Sequence, residues 1–246
     1  TICSTATATL TATGAATYSW SPATNLSAAT GATVTFTPGT TTTYTISGTD
    51  ANGCISTDQA IVTVLANAPI NAGVDAAICN GASTTLTATG GVTYTWSPAT
   101  GLSATTGASV TANPTATTTY SVTGTDANGC VGTDQVIVTV NPLPTINGGV
   151  DQTVCVGQTV TLTATGATSY TWSPVVINGT AFTPAATGTY TVTGTNANGC
   201  ISTDDVLITV NPLPTIVVAD VTICSTATAT LTATGAATYS WSPATN

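Results

Sequence analysis

The chain contains no lysine, arginine or histidine, so its nine Asp carboxylates leave a net charge of −9 at pH 7 with no cation to balance them. Without a cation the protein cannot neutralise phosphates, which excludes nucleic-acid binding by counterion release. Attraction to anionic lipid headgroups is excluded on the same ground. No apolar run approaches the roughly 18 to 20 residues of a membrane helix, and no basic-then-apolar leader is visible. Membrane insertion is therefore not expected, and an export signal is expected to lie outside these residues. Glutamate is absent as well, so no His, Lys or Glu can act as base beside a Ser, Thr or Cys nucleophile. Adjacent Asp204 and Asp205 would point to opposite faces of a strand and make a poor acid–base pair. The chain is expected not to be an enzyme. Lysine isopeptide bonds are ruled out too, which leaves disulfides as the covalent reinforcement.

Against these absences stands repetition. Thr1 to Asn25 recurs residue for residue as Thr222 to Asn246. Cys3, Cys79, Cys155 and Cys224 are each followed seventeen residues later by a tryptophan: Trp20, Trp96, Trp172 and Trp241. Self-similarity at a fixed period is the mark of a repeat architecture. It predicts modules over residues 1–64 (lacking a first strand), 65–140 and 141–210, the last with a shortened loop. Residues 211–246 would be the opening part of a further module. The chain reads as a window of a longer periodic polymer.

Within a module the period is two. Ala6, Ala8, Leu10 and Ala12 alternate with Thr5, Thr7, Thr9, Thr11 and Thr13, as expected of a strand with one buried and one Thr-coated face. In the second module the sequence predicts strands over 75–79, 83–89, a third through Tyr94 and Trp96 to Pro98, then 109–112 and 118–126. Ala127-Asn-Gly129 forms a hairpin signal, and Cys130 opens a long last strand. The third module shortens where a loop is read, with Val175 to Thr180 replacing Ala99 to Gly107. Regular aromatic and β-branched residues argue for order rather than disorder. Evenly spaced strands without a helical period argue for an all-β antiparallel sandwich.

These residues resemble an immunoglobulin-like sandwich: a tryptophan on the third strand precedes Tyr44-Thr-Ile46, Tyr120-Ser-Val122 and Tyr190-Thr-Val192, with Leu10, Leu86 and Leu162 ten residues before the tryptophan. The resemblance implies a core of Leu10, Trp20, Tyr44, Ile46, Leu86, Trp96, Tyr120, Val122, Leu162, Trp172, Tyr190 and Val192. The Leu and Ile or Val take the places of the usual core disulfide, and the tyrosines stand where the tyrosine corner would form. The strings GTDANGC, GTYTVTGTNANGC, CVGQTVTLTATG and TVNPLPTI are similar to the Ig-like and PKD-like repeats of giant cell-surface proteins of Bacteroidota, including gliding-motility adhesins exported by type IX secretion. That resemblance spans essentially the whole chain. It implies tandem Ig-like antiparallel β-sandwiches in a linear fibre, extracellular and at the cell surface. The family's Asp-Ser/Thr-apolar O-glycosylation motif does not occur, since no Asp precedes Ser or Thr.

Seven cysteines in an exported chain suggest disulfides. One reading pairs them within modules: Cys3 with Cys54, Cys79 with Cys130, Cys155 with Cys200. In the topology that the resemblance implies, however, those positions lie at opposite ends of a sandwich, separated by a strand of more than about 20 Å. A disulfide needs Cα atoms within about 7 Å. The favoured expectation is a staple between successive modules, Cys3 with Cys130 and Cys79 with Cys200, with the partners of Cys54, Cys155 and Cys224 outside the window.

Other candidates are weaker. Asp75, Asp151 and Asp220, Asp50 and Asp126, and Asp58, Asp134 and Asp204 recur with the repeat, and one or two could contribute to a calcium site, which needs about six to eight oxygens. The alternative is ordinary turn and edge-strand Asp, and no cofactor is expected. Asn25-Leu-Ser27 and Asn178-Gly-Thr180 are glycosylation sequons. The composition and repeats point to a load-bearing shaft segment of a bacterial surface adhesin or filament. Its partners are expected to be further repeats of the same chain and, laterally, identical chains. The alternatives are a module gripping surface glycans or another cell through loops such as 23–30 and 99–107, and an inert spacer of a secreted enzyme.

Overall fold

A computed structural model describes residues 1–37 and 39–243, all strands, turns and loops. The chain divides into two compact units, Thr1–Pro142 and Leu143–Asn246. The first unit holds two sandwiches, each with its own core.

The first module contains β1 (Ile2–Cys3), β2 (Ala8–Thr11), β3 (Thr17–Ser21), β4 (Thr33–Phe36), β5 (Thr42–Thr49), β6 (Ile55–Val62) and β7 (Val64–Leu65). The second contains β8 (Ala76–Cys79), β9 (Thr84–Thr87), β10 (Thr93–Ser97), β11 (Ser109–Ala112), β12 (Thr118–Thr125) and β13 (Val131–Asn141). In the second unit lie β14 (Gln152–Cys155), β15 (Val160–Thr161), β16 (Ser169–Ser173), β17 (Ala181–Phe182), β18 (Gly188–Thr195) and β19 (Ile201–Asn211), followed by β20 (Val217–Val218) and β21 (Ala233–Thr234).

Each complete module is an Ig-like sandwich. One sheet of the second module has the order β10-β12-β13-β8, and its facing sheet is β11-β9. Alternation along β12 turns Tyr120 and Val122 inward, and the cross-strand pair Trp96 with Val122 recurs as Trp172 with Val192 and Trp20 with Ile46. The core then closes on the opposite sheet through Leu86 paired with Val110.

One feature departs from a purely antiparallel reading. The opening segment of the second and third modules is split: Asn71 first pairs antiparallel with Thr89, as Asn147 does with Thr165, and after Asp75 the chain crosses to the other sheet, where β8 runs parallel to the end of β13. The pairs β14 with β19 and β1 with β7 repeat the parallel contact. Ten of the expected core residues are buried, whereas Leu10 and Ile46 are only half-buried. Both line a groove along the first module, where no strand covers them.

Residues 222–243 repeat the sequence of 1–22 but not its structure. Ala8–Thr11 is a strand paired to β4, while the same residues at 229–232 form none. Trp20 is 4% exposed and pairs with Ile46 of β5, whereas Trp241 is 47% exposed and pairs with no strand among the described residues. Among the described residues of the expected opening part of a further module, the β20–β21 ladder is the pairing formed.

Candidate functional site: a staple between modules

The hairpin that carries Cys130 is built by one carboxylate. Asp126 Oδ1 accepts hydrogen bonds from the backbone N–H of Asn128 (2.9 Å) and of Cys130 (2.9 Å), while the chain closes through Gly129 N–H to Asp126 carbonyl (3.1 Å). Asp50 does the same for Asn52 (2.8 Å) and Cys54 (2.9 Å), and Asn196 for Asn198 and Cys200, both at 3.0 Å. Asn replaces Asp at 196 without loss because the turn uses a single acceptor oxygen, which an amide also has. The bond from Cys54 N–H, then that from Asn52 N–H, holds the Asp50 carboxyl below the usual carboxylate range.

This turn fixes the direction of each hairpin cysteine. Cys130 and Cys200 are buried and Cys54 is exposed. Cys3 ends β1, and the residue after it is held against the linker into the second module: Ser4 N–H donates to the Leu65 carbonyl (2.8 Å), and Ser4 Oγ to Asn67 Oδ1 (2.7 Å). On the other side of that linker stands the second module's hairpin, packed so closely that a Cβ on Gly132 would run into the carbonyl of Ala68. Cys3 and Cys130 thus meet across the linker and form a disulfide, with Cα atoms 5.4 Å apart and a sequence separation of 127. Cys79 and Cys200 are each disulfide-bonded, and Cys54, Cys155 and Cys224 are free and exposed.

Four further Asp residues bind backbone of distant segments. Asp134 Oδ2 accepts from Ala72 N–H (2.8 Å) and Asp204 Oδ2 from Gly148 N–H (2.9 Å), fastening the opening segment to the last strand. Asp75 and Asp151 return the contact, accepting from Ile137 and Leu207 N–H, each at 2.8 Å. The Ala72 bond, followed by that of Gln135, lowers the Asp134 carboxyl. Sequence reading found the recurrence of these residues but not their partners, which lie 56 or 62 positions away. Among the described residues, no three His, Cys, Asp or Glu side chains cluster as metal ligands would.

The loops at 23–30 and 99–107 are tied inward. Trp20 and Trp96 donate their indole N–H to the Gly31 and Gly107 carbonyls at 2.9 and 3.0 Å, and Tyr44 and Tyr120 donate to Thr24 and Thr100 carbonyls at 2.6 and 2.7 Å. These two tyrosines therefore do not close the corner expected of them: their hydroxyls reach twenty residues back, into the loop after the tryptophan strand. Burial raises both phenols. In the shortened third module Asn178 Oδ1 takes over, accepting from Trp172 Nε1–H (3.2 Å) and Ala164 N–H (2.7 Å). The sequon asparagine at 178 is thus a bracing residue. Asn25 holds a left-handed conformation (φ 64°) where the second module has Gly101 (φ 75°), residue types that share this conformation.

No curated protein matches the chain by sequence. Among solved structures, it is similar to the I-band fragment I67–I69 of titin at 13% identity and a TM-score of 0.39, covering 85% of this chain and 94% of that one. It is similar also to Sidekick-1 immunoglobulin domains 1–4, at 14% identity and 0.31 over 85% and 72%, and to the insect immune protein hemolin, at 16% and 0.33 over 86% and 74%. Residues 66–142, the second sandwich with its linker, match the family model described as "Ig-like domain CHU_C associated", so this stretch is an Ig-like domain.

Proposed function

We propose that the chain is a load-bearing shaft segment of an extracellular bacterial surface adhesin or filament of the Bacteroidota type, its modules stapled in series by disulfides. The observation that carries this reading is the Cys3–Cys130 bond, which joins two different modules rather than closing one. Closing a loop of that length removes on the order of 5 kcal/mol of chain entropy from the unfolded state. Tension entering the first module can pass to the second through sulfur without relying on the linker alone.

Cys79 and Cys200, each disulfide-bonded, occupy the same places in their modules as Cys3 and Cys130, and this reading expects them to form the second staple of the series. Persistent disulfides suit an oxidising, extracellular setting. The loops that an adhesive module would present are braced through the Thr24 and Thr100 carbonyls, while most of their residues stay exposed. The reading is tested by digesting the unreduced protein with Asp-N and chymotrypsin, which cuts at Tyr170, Trp172 and Tyr190 between Cys155 and Cys200. A linked peptide pair carrying Cys79 and Cys200 is expected. Cys79 linked to any other cysteine would contradict it.

A further inference from the structure

Asparagine followed by glycine is a chemically labile pair: glycine has no Cβ to shield its backbone nitrogen, which can close on the asparagine side chain. The sequence holds six such pairs, beginning at Asn52, Asn80, Asn128, Asn147, Asn178 and Asn198. In five of them the glycine N–H is engaged. Gly53, Gly129 and Gly199 donate to the carbonyls of Asp50, Asp126 and Asn196 at 3.2, 3.1 and 3.0 Å. Gly179 donates to the Leu162 carbonyl (2.8 Å), and Gly148, itself buried, to Asp204 Oδ2 (2.9 Å). Gly81 differs. Its N–H makes no hydrogen bond among the described residues, because its turn is closed one residue later, from Ala82 N–H to the Cys79 carbonyl (2.9 Å).

The surroundings of this pair are open as well. Asn80 and Gly81 are exposed, and a Cβ built on Gly81 (φ 87°) meets nothing within 4 Å. The Asn80 side chain has no hydrogen-bond partner among the described residues, whereas Asn147 Oδ1 accepts from Gly149 N–H (2.8 Å) and Asn178 Oδ1 from Ala164 N–H (2.7 Å). Exposure alone does not single out Asn80, since Asn52, Asn128 and Asn198 are exposed too. The unengaged glycine nitrogen does.

We infer that Asn80 is the modification site at which this chain deamidates, ahead of the other five pairs. Hydroxide from solvent removes the Gly81 amide proton, and the nitrogen attacks Asn80 Cγ. That new C–N bond closes a succinimide ring, while the Cγ–Nδ2 bond breaks and the amide nitrogen leaves as ammonia with a proton from water. A second water adds to either ring carbonyl and breaks its bond to nitrogen. One opening gives aspartate; the other gives isoaspartate, with the main chain rerouted through the side-chain carbon. In sum an amide and water become a carboxylate and ammonium, with no change of oxidation state.

The place gives the step its consequence. Asn80 follows the disulfide-bonded Cys79, and its N–H donates to the Asn141 carbonyl (2.9 Å) at the end of β13. Isoaspartate puts an extra main-chain carbon into the turn that Ala82 closes. Either product adds a negative charge that no Lys, Arg or His is present to offset. The first and third modules carry Ser4 and Val156 at this position, so of the three the second has the labile turn.

The test incubates the whole chain, folded and unreduced, in warm, mildly alkaline buffer, and then reduces and maps it with Asp-N and chymotrypsin. The amide-to-acid mass shift should appear first at Asn80, roughly fivefold faster than at any other Asn-Gly pair, the ratio equivalent to one hydrogen bond of about 1 kcal/mol. Part of the product should gain a new Asp-N cut before residue 80, and the isoaspartyl part should resist it. In urea with reductant the six rates should converge, since the glycine bonds are then gone. Asn80→Ser, the residue of the first module, should remove the fast phase. Another pair leading in the folded chain, no pair reacting faster than the rest, or the same lead for Asn80 in urea would overturn the proposal.

Discussion

A single acceptor oxygen organises each hairpin that holds a cysteine, and the three hairpins differ in a way that tests it. Asp126→Ala leaves the N–H groups of Asn128 and Cys130 without their acceptor and should destabilise the second module by about 1 to 2 kcal/mol. Asp126→Asn should be close to neutral, because Asn196 performs the same task in the third module. Urea denaturation of the two variants checks the contrast; equal losses would show that the charge, not the acceptor, matters.

The same bonds set an acid limit. Asp50 and Asp134 are lowered in the folded protein relative to an unfolded value of about 3.9. The sign follows from linkage: a carboxyl that releases its proton more readily when folded stabilises the fold above the unfolded pKa. It loses that contribution as pH falls through the folded one. With no His, Lys or Glu to titrate, stability should be flat from about pH 5 to 8 and fall below about pH 4. Denaturation midpoints at pH 7, 5 and 3 measure this, and Asp134→Asn should reduce the drop.

At the scale of strands, much was legible. The Tyr-x-Trp run and its stop at Pro98 marked β10, the Ser109–Ala112 run marked β11, and the Asn-Gly turn marked the β12–β13 hairpin, since each rests on local periodicity or turn chemistry. The split of the opening segment between two sheets was not legible: Pro69–Cys79 is extended on both sides of Asp75, and only partners from the far end of the module separate its halves. The glycines at that crossing were equally silent. Gly90 has φ 89° and would meet the Pro69 carbonyl, whereas Gly14 has φ 96° and open space around it. Both Ala substitutions carry the left-handed strain of roughly 1 kcal/mol or more. Gly90→Ala should cost clearly more than Gly14→Ala, by at least about 1 kcal/mol. Thermal denaturation that ranked them equal would show that the opening segment does not press on this turn.

The identical stretches 1–22 and 222–243 carry the lesson furthest. Pattern alone gives Ala8–Thr11 and residues 229–232 the same strand, yet among the described residues the first is paired, to β4, and the second is not. A strand here is a relation between distant segments, and β-propensity without a partner leaves Leu231 and Trp241 about half-exposed. The choice between cysteine pairings likewise depended on which ends of neighbouring modules meet.

At the scale of the whole molecule, the staple changes how the chain can lengthen under load. A module of an unstapled chain yields its full contour when it unfolds, whereas the Cys3–Cys130 bond shields everything between its two cysteines from direct tension. The most direct measurement is single-molecule stretching of the protein between its termini, before and after addition of reductant. Reduction should release hidden length, up to on the order of 450 Å for the 127 residues spanned by Cys3 and Cys130 at about 3.6 Å per residue. It should also lower the force at which modules open. Identical contour lengths with and without reductant would contradict the account, since the disulfides would then lie outside the path of force.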